Sequence, residues 1–281
     1  MTTPTTEKTF ENEEKAKLPC PFIMRRIHSI MGLWLVIYLC EHLLVNSQVA
    51  LFFEDDGYGF VDAVNKIHRL PYLRVVEAVV LGLPFLIHGI WGVFYALTGK
   101  LNAHKTDGSK PALPQYKRNR AYSWQRITSW LLLVGILAHV VHMRFIEYPD
   151  KIVRGNEHFY KVKVTEDRGL VSTAQKLKVT LEEGKGNKMA ALAPTPGAAF
   201  LLVVRETFKS PLMVVLYSLL VVASAYHAFN GLWTFMITWG VTLTRRSQKV
   251  MRSITNVLMG IVMFLGLMAA WGTFWITQFQ K

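Results

Sequence analysis

Cysteine is nearly missing from this chain: its 281 residues include two, Cys20 and Cys40. On one continuous helix they would stand about 30 Å apart, too far to bridge. A disulfide framework and a cysteine-bound metal cluster are therefore excluded. Acidic residues are also scarce, 19 against 32 Lys and Arg, for a net charge of +13. Charge of either sign makes up 18% of the chain, and 51% is hydrophobic. No internal repeat, glycine-rich phosphate loop or nucleophile triad is present. The polar stretch Met1 to Lys17 is too long and too acidic for the front of a signal peptide, and no small-residue cleavage site follows it. A nucleic-acid footprint needs one basic face with stacking aromatics. Here the basic residues gather beside apolar runs, so their charge reads as topological.

What remains is apolar sequence in blocks. Five runs are long enough to cross a bilayer: Arg25 to Phe53, Arg74 to Leu97, Gln125 to Glu147, Pro211 to Gly240 and Val250 to Thr277. The expected fold is an all-α membrane protein, a bundle of five transmembrane helices with a small outside insert between the third and fourth. Its expected divisions are a cytoplasmic tail over 1–21, helices over 22–147, the insert over 148–210 and helices over 211–281. Pro19 and Pro21 oppose helix and are expected to stop it before the membrane. Two basic segments, Gly99 to Arg126 and Arg245 to Arg252, face the cytoplasm by the positive-inside rule. The first loop, with Glu54, Asp55, Asp56 and Asp62, then lies outside, as does the insert. The N-terminus is inside and Lys281 outside, with membrane lipid around the bundle.

In the insert, HFYKVKV and QKLKVTL alternate like strands around Glu166-Asp167-Arg168-Gly169 and predict a hairpin. Ala190 to Phe208 reads as a Pro/Gly-punctuated lead into an interfacial helix. Gly260, Gly266, Ala269 and Ala270 suit close packing of the fifth helix.

Four of the runs carry histidine at depth: His42, His88, His139 with His142, and His227. An imidazole inside a bilayer needs a partner, and a single one is as readily a hydrogen-bonded core residue as a ligand. Four together favour ligation. Following the chain back and forth places His42 and a third-run histidine in the outer half and His88 with His227 in the inner half. Two such pairs could clamp two haem groups axially, stacked as an electron path across the membrane. With no Cys-x-x-Cys-His, these would be two non-covalent haem b groups. His28 lies fourteen residues before His42, about 21 Å along the helix and some 40° round it. His28 and Ser29 sit just inside the membrane, where they can meet an anion or anchor the interface. Glu41 is costly at its depth and points about 100° away from His42. Glu77 lies one turn into the second run, near the outer surface.

RRIHS followed by EHLLVN, then LPFLIHGIWG, QRITSW with AHVVHMR, and YHAFNGLWTFMITWG followed by TRRSQ resemble the cytochrome b subunit of succinate dehydrogenase and fumarate reductase. The resemblance is to the type with one five-helix anchor and two haems. It takes in all five helices but not the insert or the tail. It implies that His42 and His139 hold the outer haem, selecting His139 over His142, and that His88 and His227 hold the inner one. His28, Ser29, Arg126 and Arg245 would then face the inner propionates and a docked subunit. The implied partners are a flavoprotein and an iron–sulfur subunit on the cytoplasmic side of a bacterial inner membrane. Quinone, by resemblance menaquinone, would react near the outer haem, with Glu77 the first choice for proton exchange and Glu41 the second. Where some fumarate reductases carry a glutamate two residues before the fourth-helix ligand, this chain has Ala225. Two other readings fit the bare residues: the di-haem anchor of another respiratory enzyme, and a haem-free transporter with a histidine proton relay.

Overall fold

The computed structural model describes residues 18–51, 57–99, 115–184 and 188–279. The tail before Leu18, the acidic Glu54 to Asp56, the basic residues Lys100, Lys105 and Lys110 and the terminal Lys281 lie outside the described residues. Five helices are long and apolar enough to cross a membrane: α1 (Cys20–Ser47), α3 (Leu73–Thr98), α4 (Lys117–Ile146), α7 (Pro211–Thr238) and α8 (Arg245–Phe279). Large apolar side chains on them point away from the protein; Leu86 is 62% exposed, Val134 69% and Leu219 64%. Exposure of that extent on this many neighbouring residues is what a lipid-facing belt requires.

Several boundaries differ from the expected ones for identifiable reasons. Pro19 and Pro21 do not hold the first helix off: Pro19 is its N-cap and Pro21 lies in its first turn. A first-turn proline loses an N–H that has no partner inside the helix anyway. Helices α4 and α8 start at Lys117 and Arg245, so basic residues expected in loops form the first helical turns. Lys and Arg are good helix formers that snorkel, and hydropathy alone places such a boundary too late. Thr244 and Ser247 close a capping box at the start of α8. Gly240, at φ 73°, lets the chain turn after α7, where the Val241 N–H donates back to the Met236 carbonyl at 2.9 Å.

The bundle is centred on α1, which packs against α3, α7 and α8, while α4 packs on α7. Val36, Leu43, Phe229 and Val262 form its core. A Cβ at Gly266 would stand 2.7 Å from Val221 Cγ1 and 3.2 Å from Leu43 Cδ1, so three helices converge there because a side chain is missing. Gly260, expected to serve the same purpose, has nothing within 4 Å of its would-be Cβ. Close packing belongs to Gly266, Ala269 and Ala270.

The segment between α4 and α7 is a mixed unit. Strands β1 (Asp150–Arg154), β2 (Glu157–Thr165), β3 (Thr180–Glu183) and β4 (Lys188–Ala193) form an antiparallel sheet in the order β1-β2-β4-β3. The expected hairpin is therefore corrected. HFYKVKV lies in β2 but pairs with β1 and β4, and most of QKLKVTL precedes β3. Helix α5 (Leu170–Lys176) intervenes, and Lys178 turns the chain at φ 55°. An alternation of two residues cannot by itself name a strand's partner.

Helix α6 (Pro196–Phe208) follows, capped by Thr195, whose hydroxyl accepts the Ala198 N–H at 3.3 Å. One side of α6 meets the sheet through Leu202 and Val203, which join Val162, Val164 and Leu170 in an apolar core. The other meets α2 (Tyr58–His68) through Leu201 and Val204 against Phe60 and Val61. A buried ionic cluster ties the same helix to the end of β2: Asp167 accepts from Arg205 at 2.8 Å and forms an ion pair with Lys209 at 3.0 Å, and Glu206 accepts from the Thr165 N–H at 3.0 Å.

The α2–α6 contact is closest at Gly197, whose N–H donates to Asn65 Oδ1 at 2.8 Å and whose would-be Cβ lies 2.3 Å from the Val61 carbonyl oxygen. Because the obstacle is backbone, it cannot rotate away. Gly197→Ala should push α6 off α2 and destabilise the protein by about 1–3 kcal/mol, as overpacking generally does. Gly260→Ala should be neutral. Thermal denaturation of the detergent-solubilised protein checks both; equal midpoints for the two variants would refute the assignment.

Candidate functional site

Histidines from four of the long helices meet inside the bundle in two groups. In one, the His88 ring on α3 and the His227 ring on α7 have centroids 6.2 Å apart. In the other, His42 on α1 and His139 on α4 stand 6.0 Å apart. A metal–imidazole nitrogen bond is about 2 Å. With about 1 Å more from nitrogen to ring centre on each side, two imidazoles bound to opposite faces of one metal stand about 6 Å apart. Both pairs meet that spacing.

The hydrogen bonds add a second condition. His88 Nδ1–H donates to the His28 carbonyl at 3.1 Å, and His227 Nδ1–H donates to the Gln125 carbonyl at 3.3 Å. A carbonyl only accepts, so the proton must be on Nδ1 and the lone pair is left on Nε2. That is how a ligating histidine is held, its other nitrogen tied to an acceptor. In the second group, His139 Nδ1 meets the Tyr217 hydroxyl at 3.1 Å. The His42 ring stacks on Tyr38, with centroids 5.4 Å apart, and Asn46 is near its Nδ1 at 3.5 Å. His142 also reaches Tyr217, at 3.3 Å, but the ring that meets His42 is that of His139.

The first group is the more crowded. His28 lies flat on His88, with centroids 4.1 Å apart and planes 10° from parallel, and Tyr95 closes its edge. A Cβ at Gly32 would lie 2.8 Å from His88 Cε1, so the ring occupies space that any other residue on that turn of α1 would fill. Two buried nitrogens here have no hydrogen-bond partner among the described residues, His28 Nε2 and Arg126 Nη1. Buried polar atoms are rarely left so, and an additional polar group would satisfy them. Arg126 also donates to the Ala96 carbonyl and lies over Tyr122. Ser29 is engaged by protein: it accepts from Trp239 Nε1 at 2.9 Å and donates to the Arg26 carbonyl at 3.0 Å. Arg245 stands apart from these three, exposed in the first turn of α8 and without a hydrogen bond or ion pair among the described residues.

The two carboxylates have different surroundings. Glu77 forms an ion pair with Arg144 at 2.7 Å, each side chain about one-third exposed. Both partners adjoin irregular backbone: a π-helical turn, Ala78–Gly82, follows Glu77, and another, His142–Ile146, contains Arg144. Such turns are frequent at functional sites because they re-aim side chains and free carbonyls. Here the Val80 carbonyl, four residues before Pro84 and so without that residue's N–H, accepts from Trp34 Nε1 at 2.8 Å. Next to the pair is a cavity of about 640 Å³ lined by residues that include His68, Tyr72, Arg74, Arg144 and Tyr148. Glu41, by contrast, is exposed on the outer surface of α1 and belongs to neither histidine group.

Several of these residues escape a reading of the runs alone. Gln125 touches His227 through both backbone and side chain, its Nε2 donating to the His227 carbonyl at 3.0 Å while its Oε1 accepts from Asn230 at 2.7 Å. Arg144 had a readable signal, a lone cation at the same depth as Glu77. Tyr217, ten residues before His227, lies about 15 Å along the same helix, at the depth of the other pair.

Fold and site together define a five-helix membrane protein whose interior holds two facing imidazole pairs at different depths. No protein-family model matches the chain. Its sequence is similar to the succinate dehydrogenase cytochrome b558 subunit of Bacillus subtilis (strain 168), 26% identical over 249 residues that take in 88% of this chain and 95% of that protein. The resemblance carried by the helical motifs is thus met by a relative over nearly its whole length.

Gln125→Leu removes the acceptor of Asn230 and the donor to His227 from a half-buried site. The expected cost is about 1–3 kcal/mol, seen as a lower denaturation midpoint in detergent. An unchanged midpoint would mean that water replaces both bonds.

Proposed function

We propose that the chain is the di-haem cytochrome b anchor of a succinate:quinone oxidoreductase, with His42 and His139 holding one haem b in the outer half and His88 and His227 the other in the inner half. What carries this reading is the pair of imidazole separations, 6.0 and 6.2 Å, together with Nδ1 protons directed away from the gap on both inner histidines. Haem iron supplies one-electron transfer when bound. The protein's part is to hold the imidazoles in one tautomer, to keep water from them with the apolar bundle, and to offer His28 Nε2 and Arg126 Nη1 to acidic groups at the inner site.

The inner face is the cytoplasmic one by the positive-inside rule, with Arg118, Arg120, Arg245 and Arg246 near the helix ends. A flavoprotein and an iron–sulfur subunit dock there, since this chain has no motif for either cofactor. Fumarate reduction is the same chemistry reversed. Quinone, of the menaquinone type by resemblance, reacts near the outer pair in a bacterial inner membrane. The cavity beside Glu77 and Arg144 gives its head group and protons access. Glu77 exchanges a proton at its carboxylate, and Arg144, held over Tyr148 at 4.7 Å, orients that carboxylate. Position 225 on α7 is a buried alanine, so no carboxyl stands there for a second proton route.

The purified chain should contain two non-covalent haems, counted by the pyridine haemochrome method. His227→Ala should remove the inner haem and leave the outer one; one haem or none in the unmutated protein would overturn the reading. Glu77→Gln should slow quinone reduction on the order of 10²-fold, the low end of general acid–base catalysis. Haem content and succinate oxidation with a soluble artificial acceptor should be retained, and equal loss of both activities would make the residue structural.

A further inference from the structure

The hydroxyl of Tyr217 on α7 is shared between two histidines of α4, 3.1 Å from His139 Nδ1 and 3.3 Å from His142 Nδ1. A phenol has one proton to donate and lone pairs to accept with. It cannot donate to both nitrogens, so a fully bonded arrangement needs one imidazole to donate to the hydroxyl and the other to accept from it. If His139 Nδ1–H donates to the phenolic oxygen, the His139 lone pair is on Nε2 and the O–H is directed to His142 Nδ1. The reverse order places a proton on Nε2 of His139 and leaves that nitrogen unable to bind metal.

We propose that Tyr217 is the positioning residue of the outer site. By accepting from His139 and donating to His142, it gives His139 the ligating tautomer, sets the ring's electron density and leaves His142 as the far end of a hydrogen-bond chain. This rests on the reading in which His42 and His139 hold the outer haem.

The surrounding packing supports the role. Tyr217 meets the His139 ring nearly edge-on, with centroids 5.6 Å apart, and is braced by Phe208 at 5.2 Å. Phe208 is buried at the end of α6, so the helix that closes the sheet also fixes the phenol. The inner site is held differently: His88 and His227 donate to main-chain carbonyls, which a side-chain substitution leaves in place, and the one hydroxyl that reaches them among the described residues, that of Thr128 at 3.4 Å from His227 Nδ1, donates to carbonyls of its own helix. The outer ligand depends on a side chain whose accepting strength rises when it donates onward to His142. A stronger acceptor on Nδ1–H makes the imidazole more basic and favours the oxidised metal.

Tyr217→Phe deletes the hydroxyl and keeps both ring contacts. In the whole complex it should retain two haems, raise the midpoint potential of the outer one and leave the inner one unmoved. The inner haem is then an internal control against general structural damage. His142→Phe should also retain two haems and shift the outer potential in the same direction by less, since it removes only the onward bond. Unchanged potentials in Tyr217→Phe would overturn the proposal. So would loss of the outer haem in His142→Phe, which would make His142 the ligand. Failure of the underlying reading looks different: the unmutated complex would then lack a second haem altogether.

Discussion

A neutral imidazole inside an apolar bundle has one nitrogen that donates and one that accepts, and the bundle's own backbone is already bonded within its helices. The rest of the site follows from how each ring is satisfied. Carbonyls of His28 and Gln125 take the second hydrogen bond that a helix carbonyl can accept, which costs the helix nothing. The accepting nitrogens of His88 and His227 are then left over, and ring centres about 6 Å apart in both pairs leave the space that a metal held between two imidazoles would need. Because α1 supplies His42 to one pair and the His28 carbonyl to the other, the two sites share a single rigid element. Small residues allow that element to sit close to its neighbours, Gly32 under His88 and Gly266 between α1, α7 and α8.

The end of the bundle nearer His42 and His139 is closed by the unit between α4 and α7. Helix α6 carries apolar contacts on two sides and an ionic cluster at its end. Asp167 is 5% exposed, and a charge buried that far is tolerable only with its partners, here Arg205 and Lys209, in place. The cluster ties the end of β2 to α6, and removing one partner would leave another charge buried and unpaired. Through Phe208 and Tyr217 this unit reaches the His42–His139 pair. The α2 helix, held on α6 at Gly197, leads through the loop at Tyr72 to the cavity lined by Arg144.

π-Helical turns in α3 and α4 lie on either side of the Glu77–Arg144 ion pair. Each widens the helix by one residue, and in α3 Pro84 leaves the Val80 carbonyl to bond Trp34. An ion pair one-third exposed near the ends of two spanning helices keeps both solvent and the bundle interior within reach.

Long uncharged runs determined the five helices without help from tertiary structure, because a bilayer demands length and apolar composition and little else. Chain reversal then ordered the histidines by depth, so the pairing of His42 with a third-run histidine and of His88 with His227 was legible before any contact was known. Between His139 and His142 the residues alone could not decide; the folded chain brings the ring of His139 to His42 and Tyr217 to both. Strand pairing in the insert is left open by the sequence for a related reason. Alternation marks which side chains face inward but carries nothing about the partner, and β2 found β1 and β4 on either side. Helix starts were misplaced at Pro19, Lys117 and Arg245, where capping and snorkelling outweigh hydropathy. Partnerships such as Glu77 with Arg144 and Gln125 with His227 join residues on different helices. Depth, a property of one segment, was written in the sequence; azimuth, a property of how two segments face each other, was decided only by packing.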